Sequence, residues 1–429
     1  MATFSAAAQH VKEHLEQCLP CQCIVDTCRD IGYRWRKRVL DPAAVVQLFL
    51  LQLLAQVALR GLRRVAQIDV SAQALCAARM RLPLKLFREL VARSVPDGPC
   101  SSGLFKGFKT YLADGLSFNT PDTPELARKY GKPSNQRGTT KGYPAPKLLT
   151  LMEAGAGFIN RAIILPWSRH EFTCLSRLFK AIGANSLLMG DRGLTSFVHM
   201  AMLLKQGIHG CFRLPKGQVV FGRGKASRRL KKRQGKQDLL VTWNPTQRPK
   251  WMSKKRWAQF DPQPLTLRQI AFRVRRKGYR THWAWIITTL LDPQKYPAQE
   301  LIELYSQRWQ VEVYFRDLKR TLGMNQISAR TVAGAQKEVL AFVLLYNLIR
   351  RVMQTAAAKQ QVDPERISFV DAMLWLLYSA PGTEIPDLVE NPRRTRNAPP
   401  RRLKNARHRF PQLNQPRSEL SKPPCEAML

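Results

Sequence analysis

The stretch Leu301–Arg320, LIELYSQRWQVEVYFRDLKR, constrains the fold most, because it has the spacing of one long amphipathic helix. At about 100° per residue, four polar side chains fall within about 60° of arc along about 21 Å of helix: Tyr305, Arg308, Glu312 and Lys319. Beside them lies an apolar face, formed by Leu304, Val311, Phe315, Leu318 and Leu322. One carboxylate between cations over this length suits an extended polyanion; an ordinary surface helix with i,i+4 pairs is the alternative.

The formal net charge is strongly positive, since 70 Lys and Arg against 30 Asp and Glu give +40 over 429 residues. This length allows two or three domains with a substantial core. So large an excess of one sign repels itself unless it meets a polyanion, and duplex DNA presents one charge per about 1.7 Å of its axis. We therefore expect a DNA-binding protein; a basic ribosome-associated or membrane-surface protein is the alternative.

The apolar segments predict neither a membrane span nor a secretory signal. Glu13 and Glu16 interrupt the N-terminus, and glutamines interrupt the longest apolar run, Ala43–Leu59, which we interpret as a buried helix. The nine cysteines are expected to stay reduced. A cysteine cluster lies near two histidines: Cys18, Cys21, Cys23 and Cys28, with His10 and His14. No second ligand pair completes a usual zinc set, so structural cysteines are favoured over a metal site.

Residues 1–100 are predicted to form an N-terminal helical, DNA-binding domain. Asp41-Pro42 is typical of a helix start, with proline at the first helical position. Arginines flank the apolar helix on both sides, including Arg34, Arg36, Arg38, Arg60, Arg63 and Arg64. Basic ends on short helices suit DNA binding, whereas a helical cap on the main domain is the alternative. Pro96–Cys100 has the turn signals of a linker to the next domain.

Residues 101–214 show an α/β order, the first part of a catalytic core. The predicted elements are strands at Phe108–Phe118, Lys147–Glu153 and Phe158–Leu165, a helix at Glu171–Ile182, a strand at Ser186–Gly190 and a helix at Thr195–Leu204. Three strands that can pair as a meander, followed by helix, strand and helix, fit a ribonuclease-H-like core. In that fold one acid lies on a strand, a second ends a neighbouring parallel strand, and a third arrives on a later helix.

The second half of the chain divides into three predicted regions. Residues 215–292 form a β-rich insertion that begins with a basic loop, Arg223–Lys236, containing eight cations; a solvated loop that touches nothing is the alternative. Residues 293–380 form the helical second part of the core, with helices at 298–322, Val332–Met353 and Asp363–Tyr378. Residues 381–429 form a Pro- and Arg-rich basic tail that is expected to run over DNA or a partner subunit.

Three acids in this order are candidates for one site. Asp114 sits in a predicted strand and precedes a glycine, Asp191 ends an apolar strand, and Glu312 lies beside the apolar face of its helix. Phosphoryl transfer on DNA can use two divalent metals about 3.5–4 Å apart, held mainly by carboxylates from different elements. Without metal, three such carboxylates would raise one another's pKa values. Each acid alone is weak support, because a strand-end Asp is commonly a turn residue.

The combination resembles the insertion-sequence-four family of bacterial DDE transposases. The family motif of Tyr, two residues, Arg, three residues, Glu, six residues and Lys is matched in full by Tyr305 to Lys319. Ala113-Asp114-Gly115 is similar to the block of the first acid, and Gly190-Asp191-Arg192-Gly193 to that of the second. The resemblance extends, at varying strength, over residues 26 to 417, while Asp122 is interpreted as a turn residue.

The resemblance implies a role for each motif residue. Asp114, Asp191 and Glu312 would be catalytic and coordinate Mg²⁺, with Mn²⁺ as a substitute. The other implied site residues would contact DNA: Tyr305, Arg308, Lys319, Arg192, Trp309 and Trp243. Arg308 and Lys319 would bind phosphates near the scissile bond. The two tryptophans would stack on a flipped base, as in relatives that cut through a DNA hairpin, although packing roles are the alternative.

The function implied is metal-dependent strand cleavage and strand transfer at the ends of the protein's own insertion sequence, by a cut-and-paste route. The expected partners are double-stranded DNA, as inverted-repeat ends and target, and a second subunit in the nucleoprotein complex. The expected location is the bacterial cytoplasm, with the nucleoid. A basic DNA-binding repressor without catalysis and a ribonuclease-H-type nuclease that cleaves without joining are the two alternatives.

Overall fold

The computed structural model describes residues 16, 18–36, 38–66, 68–96, 103–133, 142–225, 227–274, 281–379 and 383–391. The sheet strands are β1 (Leu104–Phe105), β2 (Phe108–Ser117), β3 (Lys147–Glu153), β4 (Ile159–Leu165), β5 (Ser186–Gly190), β6 (Ile208–Arg213), β7 (Gly224–Lys225), β8 (Arg228–Gly235), β9 (Asp238–Trp243), β10 (Leu265–Val274) and β11 (His282–Thr288). They join in one mixed sheet of order β4-β3-β2-β5-β6-β11-β10-β9-β8-β7, with β1 paired to β2. The chain is therefore of mixed α/β class. The basic tail beyond residue 391, His10 and His14 lie outside the described residues.

The core half of the sheet combines a meander with two parallel strands. β2 pairs antiparallel with β3, which pairs antiparallel with β4. On its other side β2 pairs parallel with β5, and β5 pairs parallel with β6. The predicted strands of this region are confirmed, whereas β6 was not predicted. Gly210 and His209 interrupt the apolar alternation of β6, so its periodicity is weak although Cys211 and Phe212 are fully buried.

The strands of the insertion continue the same sheet. β11 pairs antiparallel with β6, and β10, β9 and β8 follow in antiparallel order. The prediction of a basic loop over Arg223–Lys236 is wrong for most of that run, because Arg228–Gly235 forms strand β8. Its backbone pairs with β9, and the guanidinium of Arg228 lies 4.7 Å from the centroid of the Trp243 ring. Cross-strand pairing thus outweighs the low strand propensity of a lysine-rich segment.

Helices precede the sheet and cover its faces. They are α1 (Cys21–Asp30), α2 (Pro42–Leu54), α3 (Leu59–Ala66), α4 (Ala72–Arg81), α5 (Leu84–Arg93), α6 (Pro124–Tyr130), α7 (Phe197–Lys205), α8 (Lys254–Phe260), α9 (Ala298–Ser306), α10 (Gln310–Arg316), α11 (Val332–Lys359) and α12 (Phe369–Tyr378). The Asp41 carboxylate accepts a hydrogen bond from the Ala44 N–H, so the predicted start of α2 is confirmed. The helix predicted at Glu171–Ile182 is instead two 3₁₀ segments, Glu171–Arg177 and Phe179–Ala181.

The helix predicted at 298–322 is interrupted twice. A 3₁₀ turn at Gln307–Trp309 separates α9 from α10, and a π-helical turn at Asp317–Thr321 follows α10. No proline or glycine occupies either interruption. The prediction of a single regular helix is therefore wrong, and neither interruption is explained by a helix-breaking residue.

Helix α11 crosses the interior of the protein. It is long and apolar enough to span a membrane, but 78% of its most apolar window is buried inside the structure. α2 and α3 meet the same criterion only when taken together, and they are bent by 104°. The burial of α11 is that of a core helix, against which α5 and α12 pack.

Two apolar cores cover the two faces of the sheet. The first contains Leu112 of β2, Met189 of β5 and the buried sides of α9, α10 and α11. The second contains Ala113 of β2, Leu188 of β5 and most of α7. Because successive strand residues point to opposite faces, Asp114 and Asp191 follow Leu112 and Met189 onto the face of the first core. That is the face on which the Glu312 segment packs.

Candidate active site

The register of two neighbouring parallel strands places Asp114 and Asp191 side by side. Ala113 of β2 is the register partner of Gly190 of β5, and each acid is the next residue. Adjacent strands lie about 4.8 Å apart, so the two carboxylates leave the same edge of the sheet toward the same face. Asp114 is still within its strand, where its Oδ1 accepts a 2.8 Å hydrogen bond from the N–H of Gly115.

The α9–α10 segment brings its polar residues to these two acids. The Arg308 Nη1 donates to Oδ2 of Asp114 at 3.2 Å, and the Tyr305 hydroxyl donates to the Gly190 carbonyl oxygen at 3.4 Å. Tyr305 and Arg308 are buried, with 7% and 8% of their surface exposed. Glu312 lies on the exposed first turn of α10. The segment that carries Tyr305, Arg308 and Glu312 therefore packs over the part of the sheet that holds Asp114 and Asp191.

The electrostatics of Asp114 reflect this convergence. Burial raises its pKa above the ordinary value, the Gly115 hydrogen bond and Arg308 lower it, and Asp191 and Glu312 raise it again, with a net upward shift. Burial by itself lowers the pKa of Arg308, but Tyr305, Asp191 and Asp114 more than offset it. The charges of Asp191 and Glu312 thus raise the pKa of Asp114, and the guanidinium of Arg308 offsets part of that effect.

The donor set suits a hard divalent cation, although it does not form a closed cage. Asp191 Oδ1 is buried and has no hydrogen-bond partner, which is unusual for a carboxylate oxygen. Within the described ranges, no three Asp, Glu, His or Cys side chains are close enough together to enclose a metal ion. One oxygen of Asp114 is engaged by Arg308 instead. The chemistry of the donor set, with an unpartnered carboxylate oxygen on Asp191, therefore suits a divalent metal.

The remaining predicted site residues are placed differently. Lys319 lies half-buried on the π-helical turn after α10, and Arg192 is exposed in the turn that follows Asp191. Trp309 is 56% exposed beside Arg308. Trp243 is 1% exposed in the second core. β9 runs opposite to β5, so its last residue, Trp243, lies toward the edge away from the acids. The structure thus does not bring Trp243 to the acids, and its contact with DNA stays a prediction.

Two further residues, Glu171 beside β2 and Trp283 on β11, were not predicted. The side chain of Glu171 lies so close to Gly115 that a Cβ built on that glycine would be 2.8 Å from its Cγ. Trp283, near the start of β11, is 38% exposed on the same edge of the sheet as the acids, with Arg273 4.8 Å over its ring. Neither lies in one of the motif segments that predicted the acids, so no sequence signal indicated them.

The N-terminal cysteines pack in or against the first core. Cys28 is fully buried, and the Cys21 sulfur accepts a 3.0 Å hydrogen bond from the Gln47 amide. Burial raises the pKa of Cys18 and of Cys28 to about 11, so both remain thiols at neutral pH. Among the residues described, these cysteines are not part of a metal-binding group.

The site combines two acids on strands, one acid on a helix and a buried arginine, and the chain has a net charge of +40. Together these features define an enzyme class that acts on the phosphodiester backbone of a nucleic acid. The comparison of sequences specifies the class. Residues 106–348 match the family described as Transposase DDE domain, and the chain belongs to that family. It is a DDE transposase. DNA is the partner on which such enzymes act, and the family generally uses divalent metal ions.

Two curated relatives come from Escherichia coli strain K12. The chain is 25% identical over 324 residues to Transposase InsG for insertion sequence element IS4, covering 71% of this chain and 70% of that protein. It is 29% identical over 107 residues to Putative transposase InsZ, covering 25% of this chain and 35% of that protein. The predicted membership of the insertion-sequence-four DDE transposases is confirmed.

A solved structure overlaps the fold loosely. It is the piggyBac transposase synaptic complex with hairpin DNA, determined by cryo-electron microscopy, with 10% sequence identity and a TM-score of 0.46. The overlap covers 86% of this chain and 79% of that chain. A score of this size does not assign the fold, so the fold is described from the strand order above.

Proposed function

We propose that Asp114, Asp191 and Glu312 are the catalytic acids of metal-dependent cleavage and strand transfer at the ends of the protein's own insertion sequence. The observation that carries this proposal is the register of β2 and β5, which aligns the first two acids at one edge, with Glu312 coupled electrostatically to Asp114. The proposed set thus takes one carboxylate from each of three separated segments of the chain.

Mg²⁺ is the proposed metal, with Mn²⁺ as a substitute, because all of the proposed ligands are carboxylate oxygens. The unpartnered Oδ1 of Asp191 and the two oxygens of Glu312 are the available ligands, together with Asp114. When bound, divalent cations activate the attacking oxygen and stabilise the leaving oxygen. The protein's own part is to hold its carboxylates at fixed positions on rigid strands.

The cations around the acids are proposed to position the DNA backbone. Arg308 carries a planar fork that matches two phosphate oxygens, whereas Lys319 supplies a point charge about two helical turns beyond Glu312. Tyr305 is held beneath them by the Gly190 carbonyl, so it orients the segment and does not reach outward. Arg192 and Trp309 are exposed beside this line and are proposed to contact DNA as well.

The order β4-β3-β2-β5-β6, with a meander followed by parallel strands, supports a ribonuclease-H-like core. We propose the predicted division into a helical DNA-binding domain at 1–100, the core at 101–214 and 293–380, the insertion at 215–292 and the basic tail at 381–429. Inverted-repeat ends and target DNA are the proposed substrates, bound by a dimer. Such a complex would use the large positive charge of the chain.

The test replaces each acid with its amide in a cleavage and joining assay on linear DNA that carries the sequences flanking the gene. Asp114→Asn, Asp191→Asn and Glu312→Gln are each expected to reduce cleavage by more than a thousandfold and to leave end binding unchanged. Asp122→Asn is the matched control, since Asp122 is half-exposed and pairs with Lys132 at 2.6 Å.

Retained cleavage in one of the three variants removes that residue from the catalytic set. Cleaved but unjoined ends from the unmodified protein favour the nuclease alternative. End binding without metal-dependent cleavage favours the non-catalytic repressor.

A further inference from the structure

Glu312 is carried by a helix too short to fix its own position. α10 has seven residues, with a 3₁₀ turn before it and a π-helical turn after it. Most helical stability in proteins comes from tertiary packing, and the irregular turns on both sides of α10 leave its contacts to set its geometry. The contacts on the side of α10 opposite Glu312 therefore decide where its carboxylate lies.

The carboxylate of Glu365 binds the face of α10 opposite Glu312 at two points. The Tyr314 hydroxyl donates to Oε1 of Glu365 at 2.9 Å, and the Gln310 amide donates to its Oε2. Gln310 and Tyr314 are four residues apart and share a helix face, with Glu312 between them in sequence and about 160–200° away around the axis. Because the Glu365 carboxylate is bound by both donors, it fixes the rotation of α10 about its axis as well as its position.

A buried arginine connects this clamp to the sheet. The guanidinium of Arg350, on α11, lies 4.8 Å from the centroid of the Tyr314 ring, and its Nε donates to the Ala156 carbonyl oxygen at 2.7 Å. Ala156 belongs to the turn between β3 and β4, and β3 pairs with β2, which carries Asp114. A continuous series of contacts thus joins the helix that carries Glu312 to the strand that carries Asp114.

The turn between β3 and β4 packs tightly against Tyr314 and Arg350. Gly157 has φ +74°, and a Cβ built there would lie 2.5 Å from Nη2 of Arg350 and 2.9 Å from Cζ of Tyr314. Tyr314 and Arg350 are each 2% exposed. Close packing of this kind transmits a displacement of one group to its neighbours.

We propose that Glu365 is a positioning residue for the third acid: its carboxylate clamps Gln310 and Tyr314 and so sets the position and rotation from which Glu312 reaches the metal. This inference rests on the proposed role of Glu312 as a metal ligand. Glu365 does not touch the reacting groups; it acts through α10. Partners that hold a metal ligand in place commonly affect metal affinity by about 10–100-fold.

The test measures Mn²⁺ binding to the full chain by electron paramagnetic resonance, beside cleavage at varied Mn²⁺. Glu365→Gln keeps the size of the side chain but can accept from only one of the two donors. We expect the Mn²⁺ concentration for half-saturation to rise at least tenfold in both measurements, with end binding within twofold of the unmodified protein. A merely structural role would not shift the metal titration of the folded protein.

Glu390→Gln is the matched control, because Glu390 is a partly exposed carboxylate nearby that pairs with Arg366 at 2.9 Å. It is expected to titrate like the unmodified protein. If Glu365→Gln fails to fold, Tyr314→Phe removes one donor and keeps the ring on Arg350, with the same expected shift. An unchanged Mn²⁺ titration in the folded variant overturns the proposal.

Glu312→Gln separates this proposal from the one it rests on. If Glu312→Gln weakens Mn²⁺ binding and Glu365→Gln does not, only the positioning role fails. If Glu312→Gln also leaves Mn²⁺ binding unchanged, the role of Glu312 as a metal ligand fails.

Discussion

Arg308 occupies a place among the acids that a metal ion would need. Its Nη1 lies 3.2 Å from Oδ2 of Asp114, and both side chains are largely buried. If the acids hold a divalent metal as proposed, this guanidinium is expected to compete with it for Asp114. Replacing it by Gln removes the positive charge while keeping a polar side chain. We predict that Arg308→Gln binds Mn²⁺ more tightly than the unmodified protein in the absence of DNA.

The size of the expected change in Mn²⁺ affinity follows from the Arg308–Asp114 ion pair. At 3.2 Å and an effective dielectric constant of about 20, the gross Coulomb energy is about 5 kcal/mol. Desolvation offsets much of this, and hydrogen bonds to charged groups contribute about 1.5–3 kcal/mol net. A metal that no longer has to displace Arg308 gains that amount, which corresponds to about 10–150-fold in the dissociation constant.

The assay is a Mn²⁺ titration by electron paramagnetic resonance at low ionic strength, with thermal unfolding as a second measurement. The same variant should lose cleavage, because its phosphate contact is gone, so affinity for metal and activity are expected to move in opposite directions. Arg320→Gln removes an exposed charge from the same segment and is the control for a general change in net charge. Unchanged or weaker Mn²⁺ binding in Arg308→Gln refutes the competition.

Three further predictions concern stability, each measured by urea unfolding with a conservative control. Burial lowers the pKa of His199 from 6.5 to about 4, so the unfolded state binds its proton first and the unfolding free energy falls by about 3 kcal/mol as the pH drops from 6.5 to 4; His199→Gln should flatten this slope. Gly157→Ala should cost about 1–3 kcal/mol, since φ is +74° and the new Cβ meets Arg350; Gly217→Ala, in open space, should cost less than about 0.5. Arg268→Met should cost about 3–5 kcal/mol, because it strands the Asp238 carboxylate, whereas Arg268→Met with Asp238→Leu should recover part of that loss.

The strands nearest the acids were predictable from local pattern. β3 and β5 have the predicted bounds, and β2 differs from its predicted range by one residue. Their apolar runs are bounded by glycines and polar residues, and such bounded runs are the clearest strand signal in a single sequence. The weak strand β6 and the basic strand β8 were missed, because each is stabilised by its neighbours in the sheet and has little strand signal of its own.

The sequence by itself determined the chemistry: which side chains are present, their order along the chain, the excess of positive charge and the spacing of the motif from Tyr305 to Lys319. Tertiary structure decided which groups meet. It paired Arg308 with Asp114, buried Trp243 away from the acids, and set Glu365 against α10. The physical reason is range, since periodicity records only how near neighbours in the chain share a face. Contacts between residues hundreds of positions apart depend on strand order and on packing across the core.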